Sequence, residues 1–228
     1  MTGQGMVTET VWLHGAGLAG ATWAGFGGYA PDLPGHGTAP RAATPTVESF
    51  ADALTPALPE RMHLVGHSLG GMVAVELAAR LKDRVLSLVT VEAVPTVQLG
   101  MFMRFAARSA MGLFRLIGPR GVARLSGLGQ PADVAKHIRP YIAAMKPGAM
   151  DDSLTAAFAY DARPRLAHVS APALVIVGRK NRQTHAGARM MAEMLGAPFQ
   201  VMDGGHILHV EAPEALRRHI ADFQGSLG

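Results

Sequence analysis

The pattern Gly66-His67-Ser68-Leu69-Gly70 sets a serine hydroxyl between two glycines. A serine in G-x-S-x-G can attack an acyl carbonyl when it sits on a sharp strand-to-helix turn that exposes its oxygen. The glycines let neighbouring backbone pass close to that turn, which is strained. A helix that follows aims its first N–H groups where an oxyanion forms, so the Leu69 N–H is the first donor expected. In a glycine-rich chain the same five residues can also match by chance. The flanking elements decide between these readings.

Met62-His63-Leu64-Val65 reads as a buried strand that ends in Gly66. From Leu69 to Leu81 the apolar residues Met72, Val73, Val75, Leu77, Ala78 and Leu81 fall at helical spacing. Strand, motif and helix therefore agree. Further strand-like runs are Thr10–Leu13, Val85–Val91, Ala173–Val177 and Phe199–Met202. Helical patterns cover Val47–Leu58, Ala186–Leu195 and Pro213–Phe223. This alternation predicts an α/β domain with a mostly parallel sheet, and the continuous apolar strands suit strands covered on both faces. Between Val94 and His168 the alternation stops and the chain is helix-like. The expected layout is a core of residues 1–93 and 169–228 with a helical cap insertion at 94–168.

With these residues in place, the chain resembles the α/β-hydrolase family over nearly its whole length. The resemblance implies an α/β-hydrolase fold with about six strands, helices on both faces and a helical cap. His14-Gly15 looks like the family's oxyanion loop, which makes the Ala16 N–H the second donor and Gly17 its neighbouring candidate. Asp32-Leu33-Pro34-Gly35-His36-Gly37 looks like the family's structural DxPGxG loop, so Asp32 and His36 are expected to form a turn. Gly204-Gly205-His206, followed by Glu211, Pro213 and Glu214, resembles the histidine loop after the last strand and makes His206 the expected base. His209 reads as structural.

The pattern departs from the family at the acid. The family's G-x-x-D loop reads Gly178-Arg179-Lys180-Asn181 here. Asparagine accepts a hydrogen bond from histidine but brings no charge, and a change of that kind costs about 10⁴ in turnover in the serine proteases. Some relatives, notably haloalkane dehalogenases, carry the acid one strand earlier. That place holds Glu92. Glu92 is the expected acid, Asn181 a possible acid-position variant, and a Ser–His dyad or a dead site the other readings. Ser68 disfavours dehalogenase chemistry, which uses a carboxylate nucleophile.

The segment Gln98–Gly118 is rich in Met and Phe and sets Arg104, Arg108 and Arg115 on one helical face. It reads as a cap helix over the site, as plain core packing, or as an amphipathic helix on anionic lipid. A Met/Phe-lined pocket favours an apolar or aromatic acyl group, and the arginines offer a carboxylate or phosphate partner instead.

Bulk composition narrows the function. The 228 residues suit one domain, and 49% apolar against 17% charged residues marks a globular chain. The +4 net charge is scattered, so nucleic acid is not expected as a partner. The absence of cysteine excludes disulfides, thiolate nucleophiles and zinc–thiolate sites. No signal-like N-terminus and no membrane-length apolar run is read, so a cytoplasmic location is expected and membrane association is not. No metal or organic cofactor is implied. The expected function is hydrolysis of a carboxylic ester, thioester or lactone through an acyl-enzyme. The trimmed outline is also similar to small carboxylesterases of the biotin-synthesis type and to the menaquinone-pathway synthase. A cofactor-free lyase using the Ser–His pair, or an apolar-ligand binding protein, are therefore the rivals.

Overall fold

The computed structural model describes residues 9–97, 101–125 and 132–228, with backbone alone for 101–108, 110 and 111. Five strands are described: β1 (Glu9–Leu13), β2 (Met62–His67), β3 (Val85–Val91), β4 (Ala173–Gly178) and β5 (Phe199–Met202). They pair in chain order and every pairing is parallel. Right-handed crossovers between strands laid down in one direction put their helices on one face. Accordingly α1 (Val47–Leu54), α2 (Leu69–Leu81) and, between β4 and β5, α7 (Arg182–Leu195) share one core with Val11, Leu13, Leu64 and Val175. Alternate strand residues point the other way. Trp12, Val65, Leu174 and Ile176 pack with Leu216 and Ile220 of α9 (Pro213–Gly225), which follows the short α8 (Leu208–Glu211).

The expected sheet of about six strands is five among the described residues. What remains of a sixth is one parallel bridge, Val11 to Tyr29, on the free edge of β1. Tyr29 accepts from the Trp12 N–H at 2.8 Å and donates to the Thr10 carbonyl at 2.9 Å. It extends no further for local reasons. Gly27 and Gly28 have positive φ, and Pro31 offers no N–H to a ladder.

Between β3 and β4 lie α3 (Met101–Leu125), α4 (Ala132–Ala144), α5 (Ala149–Ala159) and α6 (Arg163–Leu166). The run of α3 is broken at Gly118 (φ 65°, ψ 177°), just before Pro119. This layer has its own small core. Val122, Val134, Ile138 and Ile142 pack against Leu18 and Ile207, which belong to two different loops at the ends of the strands. The side chains of Met101, Phe102, Met103, Arg104, Phe105, Arg108 and Met111 lie outside the described residues. Among the described residues no helix is long and apolar enough to cross a membrane.

One glycine measures how tightly α2 is held. A Cβ on Gly70 would run into the carbonyl oxygens of Leu13 and His14, whereas one on Gly112 would meet nothing within 4 Å. Gly70→Ala is therefore expected to lower the unfolding free energy by about 3 kcal/mol, because backbone must move. Gly112→Ala is expected to raise it by up to about 1 kcal/mol. Urea midpoints of the two variants check the pair.

Candidate active site

Ser68 sits between the end of β2 and the start of α2 with φ 52° and ψ −117°. Positive φ is costly for a side chain with a Cβ, so the turn persists only because its surroundings fix it. The Ser68 N–H donates to the Val91 carbonyl at 2.9 Å. A Cβ on Gly66 would run into the Gly70 carbonyl and one on Gly70 into the Leu13 and His14 carbonyls, so neither has room for a side chain. The N–H groups of Gly71 and Met72 fold back onto the Ser68 carbonyl at 2.9 and 3.2 Å. The Leu69 N–H, one turn earlier, is a first-turn orphan with no described partner.

The loop after β1 lies against this turn. A Cβ on Gly15 would stand 2.6 Å from His67 Nδ1 and 3.2 Å from Ser68 Cβ. The Gly17 N–H donates to His36 Nε2 at 3.1 Å, so Gly17 is spent. The Ala16 N–H has no described partner. Of the two candidates in this loop, Ala16 alone keeps its donor free. His14 is locked by two bonds, its Nδ1–H to the Gly15 carbonyl at 2.8 Å and its Nε2 from the Leu33 N–H at 2.9 Å. Asp32 accepts from the N–H groups of Gly20 and Thr38, both at 2.9 Å. Asp32 and His36 are thus committed to the turn that carries the loop.

Glu92 follows β3 with φ 55° and is 2% exposed. Its Oε1 accepts from the Gly178 N–H. Its Oε2 accepts from Asn181 Nδ2 at 2.6 Å and from Thr184 Oγ1 at 2.7 Å. His206 Nδ1 lies 3.5 Å from Glu92 Oε2 and 3.0 Å from Asn181 Nδ2. The histidine loop is held from two sides. Glu211 accepts from the N–H groups of Gly205 at 2.7 Å and Ile207 at 3.1 Å. His67 Nε2–H donates to the His206 carbonyl at 2.8 Å, tying the loop to the residue before Ser68.

Ala16, Ser68, Leu69, Glu92, Asn181 and His206 all line one cavity of about 760 Å³. The six residues singled out from the sequence are thus brought together, and both positions weighed for the acid are in the group. Its apolar walls include Met72, Val94, Val97, Leu154, Phe158 and Met190, and Thr96, Gln183 and Thr184 add uncharged polar groups. Among the described residues no Lys or Arg lines it. Arg115, one of the three arginines read as a stripe, pairs with Asp151 instead. Among the described residues no group of three or more His, Asp or Glu side chains is set to hold a metal ion. Sequence reasoning missed Thr184 and His67. Thr184 carries a weak signal, a hydroxyl three residues after Asn181 in the first turn of α7. The bond of His67 reaches across 139 residues and leaves no local trace.

The alpha/beta hydrolase family model matches residues 10–219, and the chain belongs to that family. It is 32% identical over 214 residues to the pimeloyl-[acyl-carrier protein] methyl ester esterase of Chromobacterium violaceum, covering 85% of this chain and 83% of that one. A shorter match to the esterase of the same name from Aromatoleum aromaticum is 41% identical over 95 residues and spans 38% of each. Among solved structures the enol-lactonase of Burkholderia xenovorans LB400 has a TM-score of 0.82 at 24% identity, covering 98% of this chain and 94% of that chain. That likeness is one of fold.

Behind the site the imidazoles are kept neutral. His209 is stacked on Trp23 at 4.3 Å and lies 4.8 Å from His67. Burial first, then His137 and His206, lower its pKa to about 3. Burial first, then His36, does the same for His14, also to about 3. In the unfolded chain both groups titrate near their ordinary 6.5, so below that pH the unfolded state binds more protons. Stability is then complete above pH 6.5 and is lost as pH falls from there toward 3, by about 1.4 kcal/mol per histidine per pH unit. Urea unfolding followed downward from neutral pH is expected to show this slope. His209→Phe, which keeps a ring on Trp23, is expected to reduce it by about one proton.

Proposed function

We propose that the protein hydrolyses carboxylic esters, thioesters or lactones of apolar acyl groups through an acyl-enzyme. The observation that carries this reading is that Ser68, in a left-handed turn, shares one cavity with two unspent N–H donors and with His206 backed by a buried carboxylate. Kinship with esterases that span most of this chain supports the same class.

Ser68 Oγ attacks the acyl carbonyl carbon and its proton passes to His206 Nε2. The carbonyl π electrons move onto oxygen, and the N–H groups of Leu69 and Ala16 hold that oxyanion. One such donor contributes about 10²–10³ in rate. The oxyanion collapses, the bond to the leaving oxygen breaks, and His206 returns the proton to it. Water then attacks the acyl-serine with His206 as base, releasing acid and restoring the Ser68 hydroxyl. The charge of Glu92 stabilises the imidazolium at both steps. The segment 94–168 serves as a cap, because its core closes over the Leu18 and Ile207 loops. The protein works in the cytoplasm on small-molecule substrates.

The walls favour a neutral chain. A substrate carboxylate in this cavity would find Glu92 and no described cation. A p-nitrophenyl ester of a medium-chain acid is therefore expected to be cleaved at least roughly tenfold faster than the hydrogen succinate ester, the cost of an unpaired charge exceeding about 1.4 kcal/mol. The class itself is tested by intact mass after a fluorophosphonate. One adduct on wild type, absent in Ser68→Ala, is the expected result. No adduct on folded wild type would overturn the acyl-enzyme reading.

A further inference from the structure

The amide of Asn181 is wedged into the acid position rather than standing beside it. It lies 2.6 Å from Glu92 Oε2 and 3.0 Å from His206 Nδ1, while those two atoms are 3.5 Å apart. One atom, Nδ2, makes both contacts. An amide oxygen there would face a carboxylate oxygen, so the atom must be the nitrogen. Nδ2 has two hydrogens to offer and a third, longer contact to Thr184 Oγ1 at 3.3 Å, so the two shorter contacts take them and His206 Nδ1 can then only accept. The ring proton of resting His206 is left on Nε2, the atom that has to take the proton from Ser68. For reaction, Nδ1 must carry a proton toward Glu92, and the amide must yield that face.

Resting on the reading of Ser68 and His206 above, we propose that Asn181 is a positioning residue that sets the tautomer of His206, and that positions 92 and 181 form one exchangeable carboxylate–amide unit. The surrounding bonds permit the exchange. With glutamine at 92 and aspartate at 181, the Gly178 N–H still finds an acceptor in the Gln Oε1. The Gln Nε2 donates to the aspartate across the 2.6 Å contact. Thr184 Oγ1, which donates to Glu92 at 2.7 Å, also stands 3.0 Å from its second acceptor, the carbonyl of residue 181. It can donate there and accept from the glutamine. No partner is lost, and a carboxylate oxygen then faces His206 Nδ1 at the 3.0 Å contact in place of the more distant Glu92.

The experiment compares wild type, Glu92→Gln and the double variant Glu92→Gln/Asn181→Asp, all checked for folding by thermal melts. Ester hydrolysis is expected to fall by about 10⁴ in Glu92→Gln, the order seen when a triad loses its charge. The double variant is expected to recover to wild-type rate or above. A folded double variant no faster than Glu92→Gln would overturn the proposal. ¹⁵N spectra of His206 give a readout that needs no turnover. Resting wild type is expected to show a bare Nδ1 and a protonated Nε2, and the double variant the reverse. A protonated Nδ1 in neutral wild type would equally overturn it. If wild type neither hydrolyses esters nor takes a fluorophosphonate, the functional reading fails while the tautomer result still stands or falls alone.

Discussion

The structure depends on a serine backbone forced into a conformation it would not choose. The left-handed turn at Ser68 costs about 1–3 kcal/mol. Packing on both sides offsets that cost. β2 is paired on both edges, by β1 and β3, and α2 is buried along nearly its whole length. The turn then needs glycine wherever another backbone crosses it. Gly66 and Gly70 fill that role, while Gly15 and Gly71 leave room for the side chains of His67 and Ala93, a Cβ on Gly71 standing 2.5 Å from Ala93 Cβ. The strain thus requires the close approach that sets the Ala16 loop beside Ser68.

The same compactness governs the chemistry around it. Groups this deep lose water, so each must be neutral or fully bonded. His14, His36, His67 and His209 are pushed toward the neutral form by burial. Glu92 instead keeps donors on both oxygens. A carboxylate so satisfied, next to an imidazole open to the cavity, is a local charge that the rest of the molecule leaves unopposed. The apolar helical layer above it matches that economy, since the described walls add no cation.

How much of this was legible in the sequence follows from distance along the chain. The Ser68 turn was readable because strand, glycines and helix are contiguous. The helix of α2 matched its apolar spacing to the residue. The strand count of about six came from the family resemblance and not from the five strand-like runs, and the sterics at Gly27, Gly28 and Pro31 hold the extra pairing to one bridge. The choice between Glu92 and Asn181 was not readable either. It turns on parallel pairing of β3 and β4, with Val91 opposite Ile176, which sets the two loop residues side by side. Both residues lie beside His206 Nδ1, Asn181 at 3.0 Å and Glu92 at 3.5 Å. The preference for Ala16 over Gly17 rested on a partner 19 residues away, the His36 ring.

The central claim is that Ser68 carries the acyl group between two half-reactions. It is tested most directly by product partitioning. Esters that share one acyl group and differ in leaving group are hydrolysed in water containing a fixed amount of methanol, and free acid and methyl ester are measured. A common acyl-serine predicts one ratio of acid to methyl ester for every leaving group, because the intermediate no longer carries it. A ratio that changes with the leaving group would mean water attacks the substrate directly, and Ser68 would not be the nucleophile.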